Sequence, residues 1–154
     1  MARTILVPHD GHPMSDKALR YAIDIAKAMK MRIKIVRVIE EGIAVSALPQ
    51  LRDVERERVR KDLEQEIAKI QEGEYNKLQK QLATANSKGV EASALVVEGD
   101  IAQKILSVIN KDNPYIVVIG SRRLQSRGLS RIKFLGSVAR KLSEESKCTV
   151  LIVR

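Results

Sequence analysis

Five short apolar runs alternate along the chain with longer segments of mixed polarity. The runs read TILVP, MRIKIVRVIE, VEASALVV, YIVVIG and CTVLIV, and each has the composition of a strand buried in a sheet. The four segments between them place apolar residues three and four positions apart, which is the period of an amphipathic helix. The pattern therefore predicts the element order β-α-β-α-β-α-β-α-β.

The first helical segment, SDKALRYAIDIAKAM, and the run after it show their predicted faces most clearly. Ser15 is predicted as the N-cap of this helix. Its apolar face is predicted to comprise Ala18, Ala22, Ile25, Ala26 and Met29. The next run alternates, and one side of its strand is predicted to carry Met31, Ile33, Ile35 and Arg37.

The segment from Leu51 to about Ser87 is densely charged and carries a stripe of apolar residues. This pattern predicts one long amphipathic helix, or two helices that meet near Gly73. Because the stripe does not follow a strict heptad, a solvated charged face is favoured over a coiled coil.

Alternating strands and helices imply a mostly parallel sheet with helices on both faces. The 154 residues are predicted to form one domain, 1–154, with an aliphatic core because tryptophan is absent and other aromatic residues are scarce. Ligands of such sheets bind beyond the carboxyl ends of the strands, near the point where the strand order switches. Three loops are predicted at that edge: PHDGHPMS, EEGIAVS and GSRRLQSRGLSRIKFLGS.

Positive charge is concentrated near the end of the sequence, where residues 120–154 hold +7 of the formal net charge of +9. Such a cluster favours an anionic partner (phosphate, nucleic acid or a membrane surface), with a role in solubility as the alternative. No apolar run reaches the roughly 20 residues that cross a bilayer, so no membrane association is predicted. A single cysteine excludes an internal disulfide and fits a reducing cytosol, and a cytoplasmic location is predicted.

The loop after the fourth strand carries the clearest chemical signal. Gly120 lets the backbone turn and a ligand approach, and Gly136–Ser137 stands at the start of a helix, whose N-terminus attracts anions. Between them lie five basic residues whose charge suits phosphate oxygens: Arg122, Arg123, Arg127, Arg131 and Lys133. A phosphate site is one interpretation, and a solvated basic loop before an ordinary helix is the other.

The loop after the first strand places a carboxylate, Asp10, at the same predicted edge, where it can accept hydrogen bonds from the amino group of a base. A metal site with His9 and His12 is not favoured, because the spacing is tight and no third His or Cys is near. No nucleophile–base pair and no P-loop or dinucleotide-binding glycine motif occurs, so no enzyme is predicted. Cys148 is interpreted as a buried apolar residue of the last strand.

Four segments in sequence resemble the universal stress protein family: ILVPHDG, VVEGD, VVIGSR and LGSVARKLSEESKCTVLIVR. The resemblance implies a Rossmann-like α/β fold, a three-layer α/β/α sandwich with a five-stranded parallel sheet, of the adenine nucleotide alpha hydrolase-like type. It also implies a role in stress response with at most weak ATP hydrolysis. A homodimer joined through the last strand, Cys148 to Val153, is implied as well.

Family members that bind ATP have a site whose residues can be matched here. Asp10 matches the carboxylate after the first strand and Val38 the valine beside the base. Gly120 and Gly136–Ser137 match the ends of the phosphate motif Gly-x2-Gly-x9-Gly-Ser/Thr. The predicted site for ATP, with Mg²⁺ as its companion ion, is completed by Pro8, His9, Ser121, Arg122, Arg123 and Val138. Arg123 departs from the motif because a glycine belongs there, and the outer glycines lie three positions too far apart.

Three functions follow from these observations. The first is a nucleotide-binding stress protein, with adenine near Asp10 and Val38 and phosphates at Gly120, Ser121, Gly136 and Ser137. The second is a family member that has lost ATP and acts as a dimeric protein-interaction module. The third is a nucleic-acid binder through the C-terminal basic patch, the least favoured because no aromatic stacking platform and no helix-turn-helix pattern occurs.

Overall fold

A computed structural model of the chain describes residues 3–40, 52–121 and 135–154. The strands in these ranges are β1 (Thr4–Pro8), β2 (Arg32–Ile39), β3 (Ala92–Glu98), β4 (Ile116–Gly120) and β5 (Thr149–Val153). The helices are α1 (Pro13–Met29), α2 (Asp53–Lys77), α3 (Gln79–Ser87), α4 (Ile101–Asp112) and α5 (Ser137–Glu145). None of the helices in the described ranges is long and apolar enough to cross a membrane.

The five strands form one parallel sheet in the order β3-β2-β1-β4-β5, which confirms the predicted α/β fold. β1 lies at the centre of the sheet. β2 and then β3 lie on one side of it, and β4 and then β5 lie on the other side. β1 and β4 are therefore neighbours although they are distant in sequence, with Ile5 beside Ile116. The strand order switches between them, and a crevice at such a point is the usual ligand site.

The strand side chains alternate between two apolar cores, one on each face of the sheet. The first face packs against α1 and α3, and its core includes Ile5, Val7, Ala22, Ile35 and Leu82. The second face packs against α4 and α5, and its core includes Leu6, Val36, Ile105, Val117 and Leu142. The predicted alternation of β2 is confirmed, since Ile33 and Ile35 belong to the first face and Val36 to the second.

Local signals account for the boundaries of α4. The Asp100 carboxylate caps its start by accepting a hydrogen bond from the Gln103 N–H at 2.9 Å. The helix ends at Asn113, whose backbone is left-handed at φ 46° and whose N–H donates to the Ile109 carbonyl. Both boundaries therefore depend on residues next to the helix in sequence.

The start and the apolar face of α1 differ from the prediction. The N-cap is His12 rather than Ser15, because Pro13 has the fixed φ that suits the first helical position. Ser15 is buried in the first turn. Met29 is 48% exposed, while Leu19 and Ile23 are buried in the face that meets the sheet.

The charged segment forms two helices, but they meet at Leu78 rather than near Gly73. The Leu78 N–H donates to the carbonyls of Glu74 and Tyr75 at 3.3 Å and 3.0 Å, and its side chain is 1% exposed. None of the residues that the structure describes in α2 is buried, and Val54 is 85% exposed. Among the described residues, the predicted stripe is therefore fully buried only from Leu78 onward, where the chain enters the first-face core.

Cys148 lies one residue before β5 and is half-buried, so its prediction as a buried residue inside the last strand is wrong. Its sulfur lies 3.2 Å from the Ser146 hydroxyl oxygen, in the turn between α5 and β5. The turn holds the cysteine at the margin of the second-face core, which it contacts.

Candidate functional site

Ser121 and Gly136 bring the two ends of the long loop after β4 together. Ser121 follows β4 directly, is 5% exposed and donates its N–H to the Val153 carbonyl at 2.9 Å. Its hydroxyl oxygen accepts a hydrogen bond from the Gly136 N–H at 3.2 Å. Because Gly136 is the N-cap of α5, the N-terminus of that helix lies beside the end of β4, at the carboxyl edge of the sheet.

The loop between β1 and α1 satisfies three consecutive backbone N–H groups with side chains. Asp10 N–H donates to the Ser15 hydroxyl at 3.2 Å, and Gly11 N–H donates to Nδ1 of His9 at 3.2 Å. His12 N–H donates to Oδ1 of Asp10 at 3.0 Å, and the Ser15 hydroxyl donates to the same oxygen at 2.5 Å. The carboxylate of Asp10, an exposed residue, is thereby oriented both by its own loop and by Ser15 in the first turn of α1.

Several predicted site residues share the second face at this edge. Val38 and Val138 both pack against the second-face core. Pro8 follows Leu6 at the two-residue period of β1, and Ser121 follows Ile119 in the same way after β4. Ser137 is exposed in the first turn of α5. The end of β2, the end of β4 and the start of α5 thus lie on the same side of the sheet, with β1 between the two strands.

His9 instead directs its ring toward the first face, beneath α1. It is 3% exposed, and its Nε2 lies 2.9 Å from Oδ1 of Asp16 in the first turn of that helix. Gln81 of α3 donates to the same Asp16 oxygen at 3.4 Å. Burial would by itself raise the pKa of Asp16, but the hydrogen bonds from His9 and Gln81 and the charge of nearby Arg20 outweigh it and lower that pKa.

Gly120 and Gly136 differ in the space around them. A Cβ on Gly120 would lie 2.4 Å from the carbonyl oxygen of Met14 and 2.7 Å from its carbonyl carbon, so the missing side chain is what lets α1 approach β4. A Cβ on Gly136 would meet no atom of the described residues within 4 Å. As far as the described residues go, there is room for a ligand beside the helix N-terminus and none at the end of β4.

Arg37 packs against the Asp10 loop from the first face. Gly11 has φ +85°, and a Cβ there would lie 2.9 Å from Nη1 of Arg37. The guanidinium forms an ion pair with Glu74 near the end of α2, and Lys77 donates to Glu74 at 2.7 Å. The hydrogen bond from Lys77, helped by the Arg37 charge and opposed by burial, lowers the pKa of Glu74 from its ordinary value of 4.5.

This lowered pKa predicts that Glu74 stabilises the fold while it is ionised. Its contribution is complete above about pH 4.5, the pKa expected when the chain is unfolded, and it is lost as pH falls through the lower pKa of the folded state. Glu74→Gln is expected to lower the free energy of unfolding by about 1 to 2 kcal/mol at neutral pH. The difference from the unmodified protein should shrink towards about pH 3, as measured by urea unfolding at both values.

Glu64→Gln is the matched control, because Glu64 lies on the same helix with 63% of its side chain exposed and one ion pair, to Arg60. Exposed pairs of this kind contribute about 0 to 1 kcal/mol. A loss in Glu74→Gln that persists unchanged in acid would contradict the role given to its ionised form.

Sequence reasoning missed three residues that shape this edge: Ser15 as a partner of Asp10, Asp16 as a partner of His9, and Gln81. Of these three roles, only that of Asp16 could have been suggested by the sequence, because Asp16 lies in the first turn of the helix that follows His9. The predicted site residues Arg122 and Arg123 and most of the loop EEGIAVS lie outside the described residues. Within the described ranges, no group of three or more His, Cys, Asp or Glu is placed to hold a metal ion.

The chain matches the model of the "Universal stress protein family" over residues 1–154. It is 34% identical over 160 positions to universal stress protein YxiE of Bacillus subtilis, with 100% of both chains covered. It is 30% identical to universal stress protein MJ0531 of Methanocaldococcus jannaschii, with 99% of this chain and 82% of that protein covered.

Solved structures share the fold. A universal stress protein in complex with cAMP superposes with a TM-score of 0.69 at 21% identity, covering 99% of this chain and 97% of that one. The universal stress protein from Archaeoglobus fulgidus in complex with dAMP superposes with a TM-score of 0.63 at 15% identity, covering 100% and 98%. At these identities the likeness shows a common fold.

Proposed function

Because the chain belongs to the universal stress protein family, we propose that it binds an adenine nucleotide, ATP, at the carboxyl edge of its sheet. The observation that carries the proposal is the hydrogen bond from the Gly136 N–H to the Ser121 hydroxyl, which holds the N-terminus of α5 beside β4. Phosphate binds favourably at such a helix end. Two proteins of similar fold were solved with the adenine nucleotides cAMP and dAMP, which supports the same ligand class here.

The base and the phosphates contact different elements in this proposal. Asp10 accepts a hydrogen bond from the adenine amino group, and Val38 contacts the base from the second face. Ser137 and Val138 bind phosphate through their backbone N–H groups, in the open space next to Gly136. The Ser137 hydroxyl donates to the same phosphate, and Mg²⁺ binds through the phosphate oxygens.

The remaining predicted residues surround these contacts. Arg122 and Arg123 supply positive charge to the phosphates. Gly120 and His9 support the site through packing rather than through contact with the nucleotide. The α1 helix fills the space next to Gly120 and covers His9. Pro8 is buried at the end of β1 and closes the edge on the second face.

We also propose that two copies pair through β5 and that this dimer acts in the cytoplasm during stress. β5 is an edge strand of the sheet, and its central residues Val150, Leu151 and Ile152 are half-buried. An apolar edge of this kind is stabilised by pairing with another strand. Equilibrium sedimentation of the protein tests the dimer, and a monomer mass at high concentration would overturn it.

Isothermal titration of the full chain with ATP and with adenosine tests the nucleotide site, using Ser137→Ala and the control Ser143→Ala on the same helix. Ser143 is exposed, and its hydroxyl donates to the Arg140 carbonyl. Ser137→Ala is expected to weaken ATP about fivefold, the loss of about 1 kcal/mol, and to leave adenosine unchanged because adenosine has no phosphate. Ser143→Ala should change neither.

The absence of binding heat with ATP, AMP and cAMP at millimolar ligand, with and without magnesium, would reject the nucleotide site. The second candidate, a dimeric interaction module without a nucleotide, would then take its place. It is favoured by Arg123 at the glycine position of the phosphate motif and by the packing of Met14 against Gly120.

A further inference from the structure

We propose that His9 is a positioning residue for the nucleotide site: its neutral ring, protonated at Nε2, links α1 to the Gly11 N–H and thereby holds the Asp10 carboxylate in place. The inference rests on the proposed function, since Asp10 is the residue that meets the base there. His9 touches no ligand in this scheme and acts through its loop.

The hydrogen bonds leave one protonation form for the ring. The Gly11 N–H can only donate, so Nδ1, 3.2 Å away, accepts and carries no proton. Nε2 lies 2.9 Å from an Asp16 oxygen, and a carboxylate can only accept, so Nε2 carries the proton. The other neutral tautomer would lose both bonds, and the doubly protonated ring would lose the bond to Gly11.

Burial makes both bonds matter. His9 is 3% exposed, and its own N–H is bonded to the Val36 carbonyl of the neighbouring strand at 2.9 Å. A buried donor or acceptor that loses its partner is costly because little water replaces it. The ring is therefore fixed at both of its nitrogens and at its backbone, and it forms a rigid support under the loop.

The His9 ring affects the position of Asp10 because the two residues are adjacent in the chain. Asp10 lies between His9 and Gly11, and the backbone reverses at Gly11 with φ +85°. The other two loop N–H groups are bonded to Ser15, in the first turn of α1, and to the carboxylate of Asp10 itself. Ser15 links Asp10 to α1 directly, and His9 adds a second link, which ties the Gly11 N–H to a buried ring and, through Asp16, to the same helix.

Two substitutions test the hydrogen bonds of the two ring nitrogens separately. In His9→Asn the amide oxygen takes the place of Nδ1 and accepts the Gly11 N–H, while the bond to Asp16 is lost. In His9→Gln the longer amide takes the place of Nε2 and reaches Asp16, while the Gly11 N–H loses its acceptor. Asn leaves more of the buried ring's volume empty than Gln does, so a purely structural role predicts that His9→Asn has the larger effect on stability and on binding.

Titration of the full-length protein and both variants with ATP gives the first readout. His9→Asn is expected to keep ATP affinity within about threefold, and His9→Gln to lose about tenfold, although His9→Asn leaves the larger cavity. Amide hydrogen exchange gives the second readout: the Gly11 amide should exchange at least tenfold faster in His9→Gln than in His9→Asn. Equal affinity losses or equal exchange rates in the two variants would overturn the proposal.

A third measurement needs no substitution and no ligand. Long-range proton–nitrogen correlation spectra of the unmodified protein report which ring nitrogen of His9 is protonated. Protonation at Nε2 supports the positioning role, and protonation at Nδ1 rejects it. If no nucleotide binds at all, the proposed function fails, while the exchange rate of the Gly11 amide and the ring protonation still decide whether His9 supports the loop.

Discussion

Gly120→Ala is expected to lower the free energy of unfolding by about 3 kcal/mol. The new methyl group would lie 2.4 Å from the carbonyl oxygen of Met14 and 2.7 Å from its carbonyl carbon. These are backbone atoms in the first turn of α1, so no side chain can rotate away, and the helix would have to move off β4. Urea unfolding followed by circular dichroism measures the change.

Gly136→Ala is the matched control for this prediction. A Cβ there meets no atom of the described residues within 4 Å, and alanine in place of glycine at an N-cap costs only a few tenths of a kcal/mol. Equal losses of stability in the two variants would contradict the packing role given to Gly120. The pair also separates stability from phosphate binding, because position 136, unlike position 120, is not crowded by any of the described residues.

Leu78→Ala is the second change with a large expected effect, about 3 kcal/mol of unfolding free energy. Leu78 is 1% exposed in the first-face core and stands where α2 ends and α3 begins. Its loss would leave a cavity beneath the junction and weaken the attachment of α2 to the sheet, which the ion pair between Glu74 and Arg37 also supports. Limited proteolysis within 53–77 should become faster than in the unmodified protein, in addition to the shift in urea unfolding.

Val54→Ala is the control for Leu78→Ala, because Val54 lies in α2 and is 85% exposed. Its removal should change the unfolding free energy by less than about 0.5 kcal/mol. If Val54→Ala destabilises the protein as much as Leu78→Ala does, then α2 is held along its length by contacts beyond Leu78. The role of Leu78 as its anchor would then be wrong.

The predicted strands and most helices agree with the structure because their signals are local. A run such as YIVVIG favours a strand through its branched apolar side chains, and the Asp100 cap acts on a residue three positions away. The alternation of these elements was enough to predict the parallel sheet and to direct attention to its carboxyl edge. The resemblance of whole segments added the family, which the comparison over residues 1–154 confirms.

Predictions that depended on packing were less accurate. The sequence predicts a helix break near Gly73, since glycine disfavours helix. The break occurs instead at Leu78, whose side chain is buried in the core. Serine is a preferred N-cap residue, yet the Ser15 hydroxyl is bonded to Asp10 and does not cap the helix. In both cases a tertiary contact outweighed a local preference of less than about 2 kcal/mol.

The sequence was sufficient to predict the strands and helices and their order along the chain. It was also sufficient to predict that the loops after the strands lie at the carboxyl edge of the sheet. These features depend on residues that are neighbours in sequence. The tertiary structure decided that β4 lies beside β1, that α1 fills the space at Gly120, that His9 lies under α1 and that Ser121 bonds to Gly136. Each of these depends on which strand lies next to which. Strand order is set by the joint burial of two apolar faces, and no short stretch of sequence contains that information.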